Sequence, residues 1–112
     1  MSTLSTHVLD AVSGTPAAGI PVEAFAKATD GAGWTSIGSG VTDDDGRISR
    51  VAADALAPGT YRITFGTGDY FAAQGVAAFY PEVTITFVVA DERHYHVPVL
   101  LSPFAFSTYR GS

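Results

Sequence analysis

The sequence predicts an all-β protein, an antiparallel sandwich of short strands with a single short helix. Three observations predict it. Apolar and polar residues alternate with a period of two: Tyr61, Ile63 and Phe65 are interleaved with Arg62 and Thr64, and Val83, Ile85, Phe87 and Val89 fall on one face of a second segment. Turn residues recur between short β-rich segments along the whole chain. Only "DYFAAQGVAAF", opening at Asp69 with Ala-rich spacing, reads as a helix, about two turns long and ending near Gly75.

Taken in order, "STHVLDAV" is the first strand and "SGTPAAG" the loop after it. "IPVEAFAK" and "WTSIGSGVT" are strands separated by "ATDGAG". "DDDGR" supplies an Asp-Gly turn, a strong short-range turn signal. "ISRVA", "GTYRITF", "EVTITFVV", "HYHVPVLL" and "FAFSTY" complete the set. Seven or eight such strands, with no linker, low-complexity tract or repeat, fit a sandwich. Pro98 lies inside "HYHVPVLL" and cannot donate to a ladder, so this segment is expected at an edge or through a bulge.

A chain of 112 residues is expected to form one domain spanning 1–112, and this length hides roughly two thirds of its unfolded surface. Charged residues make up only 15%, against 46% hydrophobic, which suggests a surface partly covered by other subunits. Six basic and 11 acidic side chains leave a net charge of −5, which argues against a nucleic-acid partner. Without cysteine there is no disulfide, no thiolate nucleophile and no Cys-type zinc site. "MSTLSTHVLD" lacks the pattern of a secretory signal, and no apolar run approaches the roughly 20 residues of a membrane span. A soluble, cytoplasmic protein without a membrane partner is the expectation.

The three histidines carry the most chemistry. His94 and His96 are two apart on a strand and share its outer face with Pro98 and Leu100, while Tyr95, Val97, Val99 and Leu101 face the core. His7 in the first strand shares a face with Leu9. From spacing alone three readings stand: solvated surface histidines, an acid/base pair titrating near neutral pH, or three nitrogen ligands for zinc from His7, His94 and His96. Arg47, after the Asp-Gly turn, is either a solvated hairpin arginine or a planar fork for an anionic or imide-like ligand. Asp43 to Asp45 lack the loop length and distal Glu of a calcium loop. "GSG" precedes no helix and matches no phosphate loop, and no serine has a nucleophile-elbow signature.

Four stretches together, "LSTHVLDAVSGTPAAGIPV", "TDDDGR", "YPEVTITFVV" and "HYHVPVLLSPFAFSTYRGS", resemble the transthyretin-like 5-hydroxyisourate hydrolases from Leu4 to Ser112. The terminal "YRGS" is the most specific part and separates the enzymes from the hormone-carrying transthyretins of the same fold. Phe106 stands where a Tyr is common and Tyr80 where a Phe is expected. The resemblance implies a transthyretin-like (prealbumin-like) sandwich of two four-stranded sheets and one short helix. It implies a homotetramer, a dimer of dimers, with sites in a channel between subunits. It also implies hydrolysis of 5-hydroxyisourate to 2-oxo-4-hydroxy-4-carboxy-5-ureidoimidazoline in urate degradation, with no metal and no cofactor.

Residue by residue, the resemblance assigns catalytic positions to His7, Arg47, His96 and Ser112, and substrate-binding positions to Tyr109, Arg110 and Gly111. Ring opening needs a base for water and an acid for the leaving nitrogen, and imidazoles serve both ends near neutral pH. On this reading His7 and His96 activate the water and Arg47 orients the substrate and steadies charge on its oxygen. Either histidine can be the base, and His94 has no assigned role. Tyr109 would pack along a planar substrate, Gly111 would admit a close backbone approach, and Ser112 would bring a hydroxyl and a carboxylate. A carrier of a hydrophobic ligand on the same fold, a zinc hydrolase and a sandwich without a site are the rival readings.

Overall fold

The computed structural model describes residues 2–111. In chain order these form β1 (Leu4–Asp10), β2 (Thr15–Pro16), β3 (Pro21–Lys27), β4 (Trp34–Val41), β5 (Arg47–Ile48), β6 (Gly59–Phe65), α1 (Thr67–Ala72), β7 (Val83–Val89), β8 (Tyr95–Ser102) and β9 (Ala105–Thr108). One sheet has the order β4-β3-β6-β7, with every pair antiparallel. The other has the order β2-β1-β8-β9, and β5 joins it by pairing with β1. The second sheet thus has five strands rather than four, because the two-residue strands β2 and β5 share one side of β1.

The alternation in the sequence becomes the two faces of each sheet. Tyr61, Ile63 and Phe65 of β6 and Val83 and Val89 of β7 point inward and are buried. So do Tyr95, Val97, Val99 and Leu101 of β8, and Leu4 and Val8 of β1. A side chain fully removed from water in this way contributes about 1.5–3 kcal/mol. The helix lies where the Ala-rich stretch places it, beginning two residues earlier, and Gly75 follows in a left-handed turn at φ 69°. It buries Phe71, and its Tyr70 hydroxyl donates to Asp10 Oδ2 at 2.9 Å. Asp10 Oδ1 in turn accepts the Val12 and Ser13 N–H groups at 2.9 and 3.2 Å, closing the turn after β1.

β1 and β8 run parallel in register over all seven residues of β1, from Leu4 beside Tyr95 to Asp10 beside Leu101. A parallel pair needs a long crossover, and here the whole opposite sheet is made between the two strands.

The expectation for Pro98 is not met. β8 lies inside its sheet, between β1 and β9, and Pro98 is buried without any bulge. The β9 ladder breaks off over Pro98 and Val97, so no ladder bond is asked of the proline on that side. Leu100 pairs with Ser107 and Val99 with Thr108, and His96 pairs with Gly111 in the same register. The Pro98 carbonyl is satisfied by the Thr108 hydroxyl, which donates to it at 2.8 Å.

Candidate functional site

The site is built on the outer face of β1 and β8. Their parallel register sets Ser5 beside His96, His7 beside Pro98 and Leu9 beside Leu100. On the other side of β1, His7 pairs directly with Arg47 of β5. The Asp-Gly turn fixes that pairing. Asp43 Oδ1 accepts the N–H groups of Asp45 and Arg47 at 2.9 and 3.0 Å, and the Gly46 N–H donates to the Asp43 carbonyl at 2.8 Å. The Gly46 carbonyl then receives the Val8 N–H at 2.8 Å. Gly46 sits at φ 73°, and a methyl there would strike the Val8 carbonyl, so glycine is required on both counts.

Arg47, His94 and His96 line one cavity of about 350 Å³ together with Ser5, Thr6, Ile48 and Ser49. His7 stands half-buried at its side, next to Arg47. Three of the residues assigned by resemblance, His7, Arg47 and His96, are therefore neighbours despite their distance along the chain. Burial lowers the pKa of His96 below the usual imidazole value, and the positive charges available at His94, His7 and Arg47 lower it further. The ring is accordingly neutral at neutral pH and able to accept a proton.

Hydroxyls hold the imidazoles. Ser5 Oγ lies 2.7 Å from His96 Nδ1 and 2.7 Å from His94 Nε2, and Thr3 Oγ1 lies 2.5 Å from His94 Nδ1. Both nitrogens of His94 are thus engaged by protein hydroxyls. Among the described residues no three His, Asp or Glu side chains are grouped at metal-binding spacing. Sequence reasoning passed over Ser5 and Thr3. The signal for Ser5 was its place two residues before His7, on the same face of the strand.

The C-terminal segment reaches the site through Gly111. Its N–H donates to the His96 carbonyl at 2.9 Å, and a methyl on Gly111 would collide with the His96 ring. Tyr109 and Arg110 border a different cavity, of about 250 Å³, whose wall includes Ile85, Phe87, Tyr95 and the far side of His96. The Arg110 guanidinium stacks 4.3 Å from the Tyr95 ring centroid and 3.9 Å from Asp91 Oδ1. It does not line the Arg47 cavity. Asp91 is held below the usual carboxylate range by the Arg93 N–H and the Tyr95 hydroxyl, with the charges of Arg110 and Arg93 adding to this. Arg110 therefore fastens the tail to the turn before β8. Ser112 lies outside the described residues.

Comparison with known proteins agrees with this architecture. A model of the HIUase/Transthyretin family matches residues 4–111. A probable 5-hydroxyisourate hydrolase of Caenorhabditis elegans is 47% identical, with 99% of this chain and 82% of the relative covered. The solved 5-hydroxyisourate hydrolase of Klebsiella pneumoniae is 39% identical with a TM-score of 0.88, covering 100% of this chain and 94% of that one. Sea bream transthyretin, solved in complex with thyroxine, is 38% identical with a TM-score of 0.91, covering 97% of this chain and 94% of that one. With a family model matching nearly every residue and a fold shared with solved members, this chain belongs to the HIUase/transthyretin family.

Proposed function

We propose that this protein is a 5-hydroxyisourate hydrolase, opening the ring to 2-oxo-4-hydroxy-4-carboxy-5-ureidoimidazoline in purine degradation. The observation that carries the reading is the convergence of Arg47 and His96 on one cavity with His7 beside it. A thyroxine carrier shares the fold, but a guanidinium and imidazoles on one cavity serve a small polar ring better than a bulky apolar ligand.

The following division of labour fits this geometry. His96, neutral near pH 7, takes a proton from water as the water oxygen bonds to the ring carbonyl carbon. Arg47 faces the oxygen on which negative charge develops and offers it charge-assisted hydrogen bonds. His7, next to Arg47, protonates the nitrogen that leaves when the C–N bond breaks. Gly111 holds the His96 backbone, and Tyr109 borders the neighbouring cavity that His96 also lines. Arg110 acts at one remove, by fastening the tail.

Self-association belongs to the same proposal. β7 and β9 each have a single strand partner, leaving an edge open to pairing with another copy. Val88, Phe104 and Tyr109 on or next to these strands are large, apolar and well exposed. A homotetramer built as a dimer of dimers would cover them and enclose the outer face that carries His7 and His96. Light scattering on the purified protein measures the mass directly.

The decisive assay follows the absorbance of freshly made 5-hydroxyisourate. Decay faster than the spontaneous rate, retained in the presence of chelator, supports the reading. Decay at the spontaneous rate overturns it.

A further inference from the structure

Ser5 is the only described residue bonded to two imidazoles, and its hydroxyl has one proton to give. With a ring nitrogen 2.7 Å away on either side, it can spend that proton on one ring and accept from the other, or accept from both, and the first arrangement is the one taken here. That constraint ties the tautomers of His94 and His96 together. In one arrangement His96 Nδ1–H donates to Ser5, Ser5 donates to His94 Nε2, and His94 Nδ1–H donates to Thr3 Oγ1. The Nε2 of His96 then carries no proton and is basic. In the reverse arrangement Thr3 donates to His94 Nδ1, His94 Nε2–H donates to Ser5, and Ser5 donates to His96 Nδ1. Now His96 carries its proton on Nε2 and presents a donor there, which becomes an acid once the relay returns the extra proton from His94.

We propose that Thr3, His94, Ser5 and His96 form a proton relay, in which Ser5 and His94 are positioning residues that set whether His96 Nε2 works as a base or as an acid. The proposal rests on the hydrolase reading for its substrate, but not for the relay itself.

The proton balance closes. When water adds to the substrate carbonyl, its proton goes to His96 Nε2. The Nδ1 proton moves to Ser5 Oγ, and the Ser5 proton moves to His94 Nε2. The positive charge then rests on His94. When the C–N bond breaks, the same transfers run backwards and the His96 Nε2 proton becomes available to the leaving nitrogen, directly or by way of His7.

The surroundings favour moving the charge. His96 is half-buried, whereas His94 is exposed and can be hydrated. Among the described residues the charges that act on His96 are those of His94, His7 and Arg47, all basic, so a cation at the less hydrated ring is the costlier one.

Long-range proton–nitrogen NMR of the imidazoles, at a pH above both titrations, tests the relay without any substrate. In the full-length protein the two neutral rings should carry the same tautomer, both Nδ1–H or both Nε2–H. Ser5→Ala should release that match, and Ser5→Thr should restore it. Opposite tautomers in the unaltered protein would overturn the relay. In the hydrolysis assay Ser5→Ala and His94→Gln should lose about 10²-fold in kcat at little change in KM, the lower end of what acid–base catalysis supplies, with recovery in Ser5→Thr. Unchanged kcat in both would overturn the relay's part in catalysis. An unaltered protein with matched tautomers but no hydrolysis would instead overturn the hydrolase reading and leave the relay standing.

Discussion

Gly111 lies directly against His96: its N–H donates to the His96 carbonyl at 2.9 Å, and its missing side chain leaves the space that the imidazole fills. Gly111→Ala must push either the tail or the ring out of place. Misplacement of a reacting group by about 1 Å can cost about 10²-fold in rate. The expected outcome is a comparable fall in kcat/KM with the melting temperature nearly unchanged, because the segment is peripheral to the core.

Arg47 is exposed, and the turn that precedes it is held by Asp43 and by backbone groups. Arg47→Ala should therefore leave the fold intact. Losing an aimed charge-stabilising donor costs about 10²–10³-fold in kcat. A steady-state measurement showing near-normal kcat would remove Arg47 from the site.

The lowered pKa of His96 sets a pH dependence for both rate and stability. Burial, then the neighbouring charges, place its folded value below the free imidazole value of about 6.5. The acid limb of kcat/KM should accordingly fall below pH 6.5. For stability, the unfolded chain binds this proton first as pH drops, so the contribution is fully present above about 6.5 and is lost as pH falls through the folded value. His96→Gln should flatten that part of the stability curve while abolishing most of the activity.

Asp10 has a structural role, far from any reacting group. Burial pushes its carboxyl up, but the Ser13 N–H, the Tyr70 hydroxyl and the Val12 N–H together outweigh burial and hold it below the usual range. Its contribution is present above the unfolded value near 4 and is lost as pH falls through the lower folded value. Asp10→Ala orphans the Tyr70 hydroxyl and should cost about 1–3 kcal/mol at pH 7. Urea unfolding at pH 7 and pH 3 should show the gap between the two proteins narrowing in acid.

Gly46→Ala combines a strained φ with a collision against the Val8 carbonyl. Strain of this kind costs about 1–3 kcal/mol. Because the turn carries Arg47 to His7, the substitution should reduce activity by more than its effect on thermal melting explains.

Much of this was legible in the chain. Alternation in β6, β7 and β8 declares which side chains turn inward, because a strand has only two faces. The same parity put His94 and His96 on the outer side. It is silent on strand direction, so the parallel run of β1 along β8 was not visible. Nor was β2, whose two residues are too few to show a period, and the strand expected over "ISRVA" shrinks to the two residues of β5, Arg47–Ile48. Pro98 misled for a clear reason: its lost N–H matters only if a carbonyl waits for it, and here the β9 ladder breaks off over Pro98 and Val97. Ser5 was overlooked because a serine beside a histidine is unremarkable until a second ring arrives 89 residues later. The direction taken by Arg110 depends on Asp91 and Tyr95, which no local pattern connects to the tail.

The side-by-side run of β1 and β8 has a bearing on synthesis. Contacts spanning 91 residues form late and slowly in a folding chain. On the ribosome, the opening strand emerges long before its mate has been translated. A nascent or truncated product lacking residues 95–102 has no strand to set beside β1 and no place where His7 and His96 meet. Catalysis above the spontaneous rate by this chain thus requires molecules whose two ends have found each other.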